Sequence, residues 1–246
     1  GQGFPKLALS TFFKTGTGVA SCVLLPSAVE TVIDGADVRC ELSTEYPFRG
    51  ALKYTVKTGS PVKFSLFIRI PSFAKSAKID GKDVKCGEFA EISKCWDGET
   101  EIYADFGFET EIVERPENMV CVRRGPLFYS IPVKEKRERV EYVKNGVERK
   151  YPYCDYYIYP ESKWNYALAD DRFEISEHEF DAPFNPENPP VSLMADMVEI
   201  DWRFNCGHCD RLPVSTKPLG NIQKVQLIPY GCTNLRMTEM PLVKND

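Results

Sequence analysis

Apolar and polar residues alternate with a period of two through much of the first half of the chain. The clearest run is Phe64, Leu66, Ile68 and Ile70, which places one side of a strand in a core and leaves Ser65, Phe67 and Arg69 on the other. Val29-Thr31-Ile33, Val38-Cys40-Leu42, Leu52-Tyr54-Val56 and Ile102-Ala104-Phe106 follow the same pattern. Turn chemistry separates these runs at Asp34-Gly35, Thr58-Gly59-Ser60-Pro61, Asp80-Gly81 and Asp97-Gly98, while Val23-Leu24-Leu25 stops at Pro26. Short strands broken in this way about every 8–12 residues predict a β-sandwich or barrel from Val19 to Val133.

Two apolar runs flank Arg124-Gly125-Pro126, so Met119 to Val133 reads as a strand, a sharp bend and a second strand. Lys134 to Lys150 is crowded with Lys, Arg and Glu and holds a turn signal at Asn145-Gly146. This charged stretch predicts a solvated connector or hairpin and sets a domain boundary near Val133, with residues 1–133 one sandwich and 134–246 a second. Beyond it come the aromatic stretch Tyr151 to Pro160, then Trp164 to Leu168, and a Pro- and Asn-rich loop from Asp181 to Pro190. Val191 to Trp202 is ambiguous, although Val198-Glu199-Ile200-Asp201-Trp202 favours a strand; Lys224 to Ile228 is the last strand. No helical period longer than about three turns is present. The expected fold is all-β, with two β-sandwich domains.

Composition narrows the function classes. A chain of 246 residues with 43% hydrophobic and 12% aromatic content supports packed cores. The net charge of −5 argues against a nucleic-acid partner, and no apolar run has the roughly 20 residues of a membrane helix. Nine cysteines, an odd number at irregular spacings, predict reduced thiols in a cytoplasmic protein.

Four patterns carry candidate chemistry. Cys206-Gly207-His208-Cys209 has the spacing of a zinc grip, but zinc takes about four ligands and no second Cys-x-x-Cys exists. Cys206, His208 and Cys209 are therefore weak metal candidates, which Cys232 or His178 completes only if folding brings them near. Thr15-Gly16-Thr17-Gly18 lacks the Lys and Ser/Thr of a phosphate loop and reads as a turn. The carboxylate pairs Glu109/Glu111, Asp170/Asp171 and Glu177/Glu179 fit a solvated strand edge as well as they fit glycoside hydrolysis. If Tyr151 to Tyr159 is extended, Tyr151, Tyr153, Tyr157 and Tyr159 share a face, and flat rings with polar tips suit stacking on sugars. Tyr151, Tyr153, Tyr157 and Trp164 are the candidate carbohydrate contacts; the competing reading buries that face.

Arg124-Gly125-Pro126-Leu127 followed by Phe128-Tyr129 resembles the C-terminal region of glycoside hydrolase family 127, which includes the β-L-arabinofuranosidases. Leu24-Leu25-Pro26-Ser27, Thr44-Glu45-Tyr46-Pro47-Phe48, Ile68-Arg69-Ile70-Pro71, Leu227-Ile228-Pro229-Tyr230-Gly231-Cys232 and Leu235-Arg236-Met237-Thr238 agree in order. The resemblance implies accessory, non-catalytic β-domains that follow an α/α-barrel catalytic domain, the expected partner. It implies that this chain braces the barrel and exposes an apolar patch, with Phe12, Phe13 and Phe48 as the expected members. The family's nucleophile is a zinc-bound thiolate in a run with adjacent cysteines, paired with a Glu acid/base. This chain has no adjacent cysteines, so no catalytic residue and no cofactor carries over, and the chain alone is expected to be inactive. The rivals are a carbohydrate-binding module, whose Tyr face is open to solvent, and a free-standing enzyme or zinc site at Cys206 and Cys209.

Overall fold

The computed structural model describes residues 3–205 and 207–243. The chain is all-β, with one α-helix among the described residues, α1 (Gly3–Leu9). No helix among them is long and apolar enough to cross a membrane. Two compact units follow each other, Gly1–Glu109 and Thr110–Asp246.

Unit 1 contains β1 (Phe12–Lys14), β2 (Gly18–Ser21), β3 (Ser27–Ile33), β4 (Ala36–Thr44), β5 (Ala51–Arg69), β6 (Ser76–Ile79), β7 (Lys82–Asp83) and β8 (Phe89–Gly107). All belong to one sheet organised by the long pair β5 and β8. The first half of β5 pairs with β4, while its second half pairs in parallel with β2. Leu52, Tyr54 and Val56 on one half and Phe64, Leu66 and Ile68 on the other enter a single buried cluster with Ile102, Ala104 and Phe106 of β8. The even-numbered face of β5 thus points inward in both halves, on either side of the exposed Ser60.

Two predicted turns do not end strands. Thr58-Gly59-Ser60-Pro61 lies within β5 and Asp97-Gly98 within β8, and they face each other. Thr58 aligns with Gly98 and Val62 with Trp96, so Gly59, Ser60 and Pro61 bulge opposite Asp97. Turn-forming residues serve a bulge here: both strands deviate at one place, and the ladder resumes beyond it. Asp34-Gly35, Asp80-Gly81 and Asn145-Gly146 do close two-residue hairpins, with both residues of each pair at positive φ as a type I′ turn requires. Gly18 is obligatory for a different reason: a Cβ there would lie 2.0 Å from the Ser65 carbonyl oxygen on the neighbouring strand.

Trp96 anchors the core. Its ring stacks on Phe64 at 5.1 Å between centroids, and its Nε1 donates to the Phe64 carbonyl at 2.9 Å. Tyr54, also fully buried, pairs its hydroxyl with Ser21 Oγ at 2.9 Å, so that neither polar group is stranded in the core.

Unit 2 begins with β9 (Thr110–Arg115), β10 (Met119–Arg124) and β11 (Leu127–Pro132). An arm follows, made of β12 (Glu135–Val140), β13 (Tyr142–Lys144), β14 (Val147–Arg149) and β15 (Asp155–Pro160). Next are β16 (Tyr166–Glu177), β17 (Val191–Glu199), the small hairpin β18 (Phe204–Asn205) and β19 (His208–Cys209), β20 (Gln223–Pro229), β21 (Arg236–Met237) and β22 (Met240–Pro241). The main sheet runs β16-β17-β20-β11-β10-β22, with β9 also on β10 and β21 on β11. The division between units therefore falls at Glu109–Thr110, not at Val133. The strands on either side of Gly125-Pro126 form the predicted bend, but β11 pairs with β20 and β10 with β22, which ties them to the second unit. The charged stretch after Val133 is an exposed arm within that unit rather than a linker.

The eight described cysteines are free thiols. Cys40, Cys121 and Cys232 are buried and Cys95 is exposed; burial pushes the Cys40 thiol up to about 12 and Cys232 up to about 11.

Candidate functional site

The predicted Tyr face is divided. Residues 151–154 turn, and the strand starts only at Asp155, so Tyr151 and Tyr153 do not continue the row of Tyr157 and Tyr159. Tyr151 is held at the end of the arm, its N–H donating to Glu141 Oε1 at 3.2 Å and its ring 5.7 Å from the Arg139 guanidinium. Tyr153 sits over a shallow cleft of about 420 Å³ with Tyr142, Lys144, Val147, Arg149 and Asp155. Tyr157 and Tyr159 are neighbours on one face of β15, 6.5 Å apart, and Tyr156 and Ile158 occupy the other. Trp164 is in a third place, packed at 5.7 Å against Trp202 and 6.4 Å from Phe204. The four candidate contacts thus do not form one platform, because the turn at 151–154 breaks the extended geometry that a shared face requires.

The structure does bring Trp164 to the Cys-Gly-His-Cys segment. A cavity of about 250 Å³ is lined by Ile158, Trp164, Phe204, His208, Cys209 and Met237. The sequence places His208 and Cys209 in a loop; they form β19, paired with β18 by Phe204 against Cys209 and Asn205 against His208. Asp210 fixes the base of this hairpin. Its carbonyl accepts from Trp202 Nε1 at 2.7 Å, and its carboxylate accepts from Asn205 Nδ2 at 2.9 and 3.0 Å. His208 Nδ1 lies 3.1 Å from the Cys209 carbonyl. Burial raises the Cys209 thiol above its ordinary range, which disfavours a free thiolate nucleophile. Cys206 lies outside the described residues. Among the described residues, no three His, Cys, Asp or Glu side chains gather as a metal site. His178 is instead 3.3 Å from Ser192 Oγ, and the Cys232 thiol points to the Pro183 carbonyl at 3.5 Å. Phe204, Ile158 and Met237 were not legible as walls of this cavity, because three separate strands deliver them.

Two of the candidate carboxylates, Glu111 and Asp170, are engaged in ordinary surface contacts. Glu111 receives Arg123 Nε at 2.8 Å across the β9–β10 ladder, and Asp170 receives Arg172 Nε at 2.8 Å two residues on. Thr15 to Gly18 is the predicted turn, closed by Thr15 N–H to the Gly18 carbonyl at 2.8 Å.

The expected apolar patch of unit 1 has different members. Phe12 and Phe48 are buried, whereas Phe13 is 50% exposed. Phe12 aligns with Ser21 and so faces the core, where Ser21 meets Tyr54. The opposite face aligns Phe13, Ala20 and Phe67 across β1, β2 and β5, with Phe89 of β8 on the same side; Ala20 is buried there and Phe67 half-buried, while Phe89 is 49% exposed.

Comparison with known proteins bears on unit 1 most directly. Residues 18–108 match the family model described as β-L-arabinofuranosidase, GH127 middle domain. Unit 1 is GH127-like. No curated protein sequence matches the chain. The fold is similar to that of a GH127 β-L-arabinofuranosidase from Geobacillus stearothermophilus T6, Ara127N-Se, with a TM-score of 0.59 and 23% identity over 94% of this chain and 34% of that one. A structure described as a glycoside hydrolase gives a TM-score of 0.62 and 19% identity over 95% of this chain and 37% of its own. The GH127 β-arabinofuranosidase BT3674 gives 0.56 and 15% over 91% and 34%. The chain therefore spans about a third of the length of these structures.

Proposed function

We propose that this chain is a non-catalytic β-region of a larger GH127-like glycoside hydrolase, and that the whole protein hydrolyses β-L-arabinofuranosides. The observation that carries the reading is the match of residues 18–108 to the family's middle domain, in a chain spanning only about a third of its structural neighbours. Its own side chains support an accessory role. A retaining mechanism needs an activated nucleophile and a separate proton donor on opposite sides of one bond. Among the described residues, the cavity beside Cys209 brings it one further side chain of a zinc-binding type, His208, whereas zinc takes about four ligands. In this reading the outward row of Phe13, Phe67 and Phe89 is the surface that packs on the catalytic part.

The test is to incubate the zinc-loaded chain with p-nitrophenyl β-L-arabinofuranoside. No turnover is expected from the chain alone, and turnover is expected from the longer protein that contains it. Turnover by the chain alone that disappears in Cys209→Ser would place an active site here and defeat the accessory role.

A further inference from the structure

A polar cleft of about 460 Å³ lies wholly within unit 1. Four segments distant in sequence converge on it: the β1–β2 turn, the tip of the β3–β4 hairpin at Val32 and Asp34, Lys63 and Ser65 of β5, and Glu91 and Ser93 of β8. Hydrogen bonds fix its walls. Ser65 N–H donates to the Thr17 carbonyl at 3.0 Å, which holds the turn over β5. Lys14 Nζ donates to the Val32 carbonyl at 2.7 Å, which ties the hairpin tip to β1. Ser65 stands opposite Ser93 in the β5–β8 ladder, and its buried hydroxyl donates to Glu91 Oε1 at 2.6 Å, so the carboxylate is held in place.

The fold leaves hydrogen-bonding capacity unspent in this cleft. Among the described residues, the second carboxylate oxygen of Glu91, the hydroxyls of Ser93 and Thr17 and the ammonium of Lys63 have no protein partner. Charge is balanced, with Lys14 and Lys63 against Asp34 and Glu91. An anion would meet the two carboxylates and a cation the two ammoniums, so neither sign of charge is favoured. Phe64 turns its ring into the core and offers an apolar ligand nothing. What matches fixed donors and acceptors at zero net charge is a neutral molecule carrying several hydroxyls.

We propose that this cleft is a binding site for a neutral saccharide of one or two rings. Glu91 accepts from sugar hydroxyls, Lys63 donates to a hydroxyl or ring oxygen, and Ser93 and Thr17 do either. The volume is in the range of small-ligand pockets. No aromatic ring stacks on the sugar, so the dissociation constant is on the order of millimolar. The site stands on the geometry of unit 1 and not on the accessory role, so each can fail without the other: turnover by the chain alone speaks to the accessory role, and binding speaks to the cleft.

The test is to titrate the isotope-labelled whole chain with L-arabinose, D-galactose and arabinobiose, and separately with sodium phosphate, following backbone amide shifts by NMR. At least one saccharide is expected to shift the amides of residues 14–18, 63–65 and 91–93 and to saturate in the millimolar range. Lys63→Ala should weaken binding about tenfold, and Glu91→Gln, which keeps an acceptor for Ser65, about five- to tenfold. Both side chains are exposed, so far-UV circular dichroism should not change. The proposal is overturned if no saccharide moves these amides, or if phosphate binds there more tightly than every saccharide. It is overturned equally if both variants bind as the parent chain does, or if the shifts gather around Tyr153 instead.

Discussion

Unit 1 and unit 2 are both all-β, yet they distribute their large side chains in opposite ways. Unit 1 draws the inward faces of β4, β5 and β8 into one cluster around Trp96, Tyr54 and Leu66. Unit 2 builds its sheet around β17 but keeps much of its aromatic content on satellites, the β12–β15 arm and the β18–β19 hairpin, where Tyr151, Tyr153 and Tyr157 stand open to solvent. Aromatic content alone therefore does not locate a core. Where the rings stack and find polar partners, as Trp96 and Tyr54 do, they hold a fold together; where they line an open ribbon, they are available to something else.

Substitutions can break or sharpen that contrast. The largest effect is expected from Trp96→Ala, which removes a buried ring and its hydrogen bond to Phe64. A loss of about 3–5 kcal/mol should appear as a lower midpoint in urea. Tyr54→Phe is gentler, since it keeps the ring but leaves the buried Ser21 hydroxyl without its Tyr54 partner. About 1–2 kcal/mol is expected by the same measurement, and no change at all would mean that this polar pair does not matter to unit 1. The smallest effect belongs to the arm: Tyr153, 80% exposed, should tolerate Ala within about 0.5 kcal/mol. A cost for Tyr153→Ala comparable to that of Trp96→Ala would erase the distinction between core and satellite.

The same contrast explains what the sequence made legible. Phe64 to Ile70 announced itself because its strand is wet on one side and dry on the other, which is the condition for a period of two. β17 lies between β16 and β20 and buries Val191, Ser192, Leu193, Ala195, Met197 and Val198 from both of its faces, so Val191 to Trp202 showed no period. Thr58 to Pro61 and Asp97-Gly98 use the residues of a turn to make a bulge, and composition does not distinguish the two. The charged stretch from Lys134 resembles a linker because an exposed ribbon and a linker meet the same solvent. Among the candidate site residues, Trp164, His208 and Cys209 come together only through the tertiary path of the chain, and the Tyr row failed at the turn that precedes Asp155.

The bulge shared by β5 and β8 has a further consequence for how unit 1 opens. Because these two strands run through both halves of the sheet, their ladder on one side of Thr58–Val62 is continued by the same two chains on the other. Peeling β4 away exposes one edge of β5, and peeling β2 away exposes another, but separating β5 from β8 dismantles both halves and the core between them. The backbone amides on either side of the bulge therefore belong to a single unit of cooperative opening, protected from solvent exchange to a common depth, whereas the short flanking strands can fray independently.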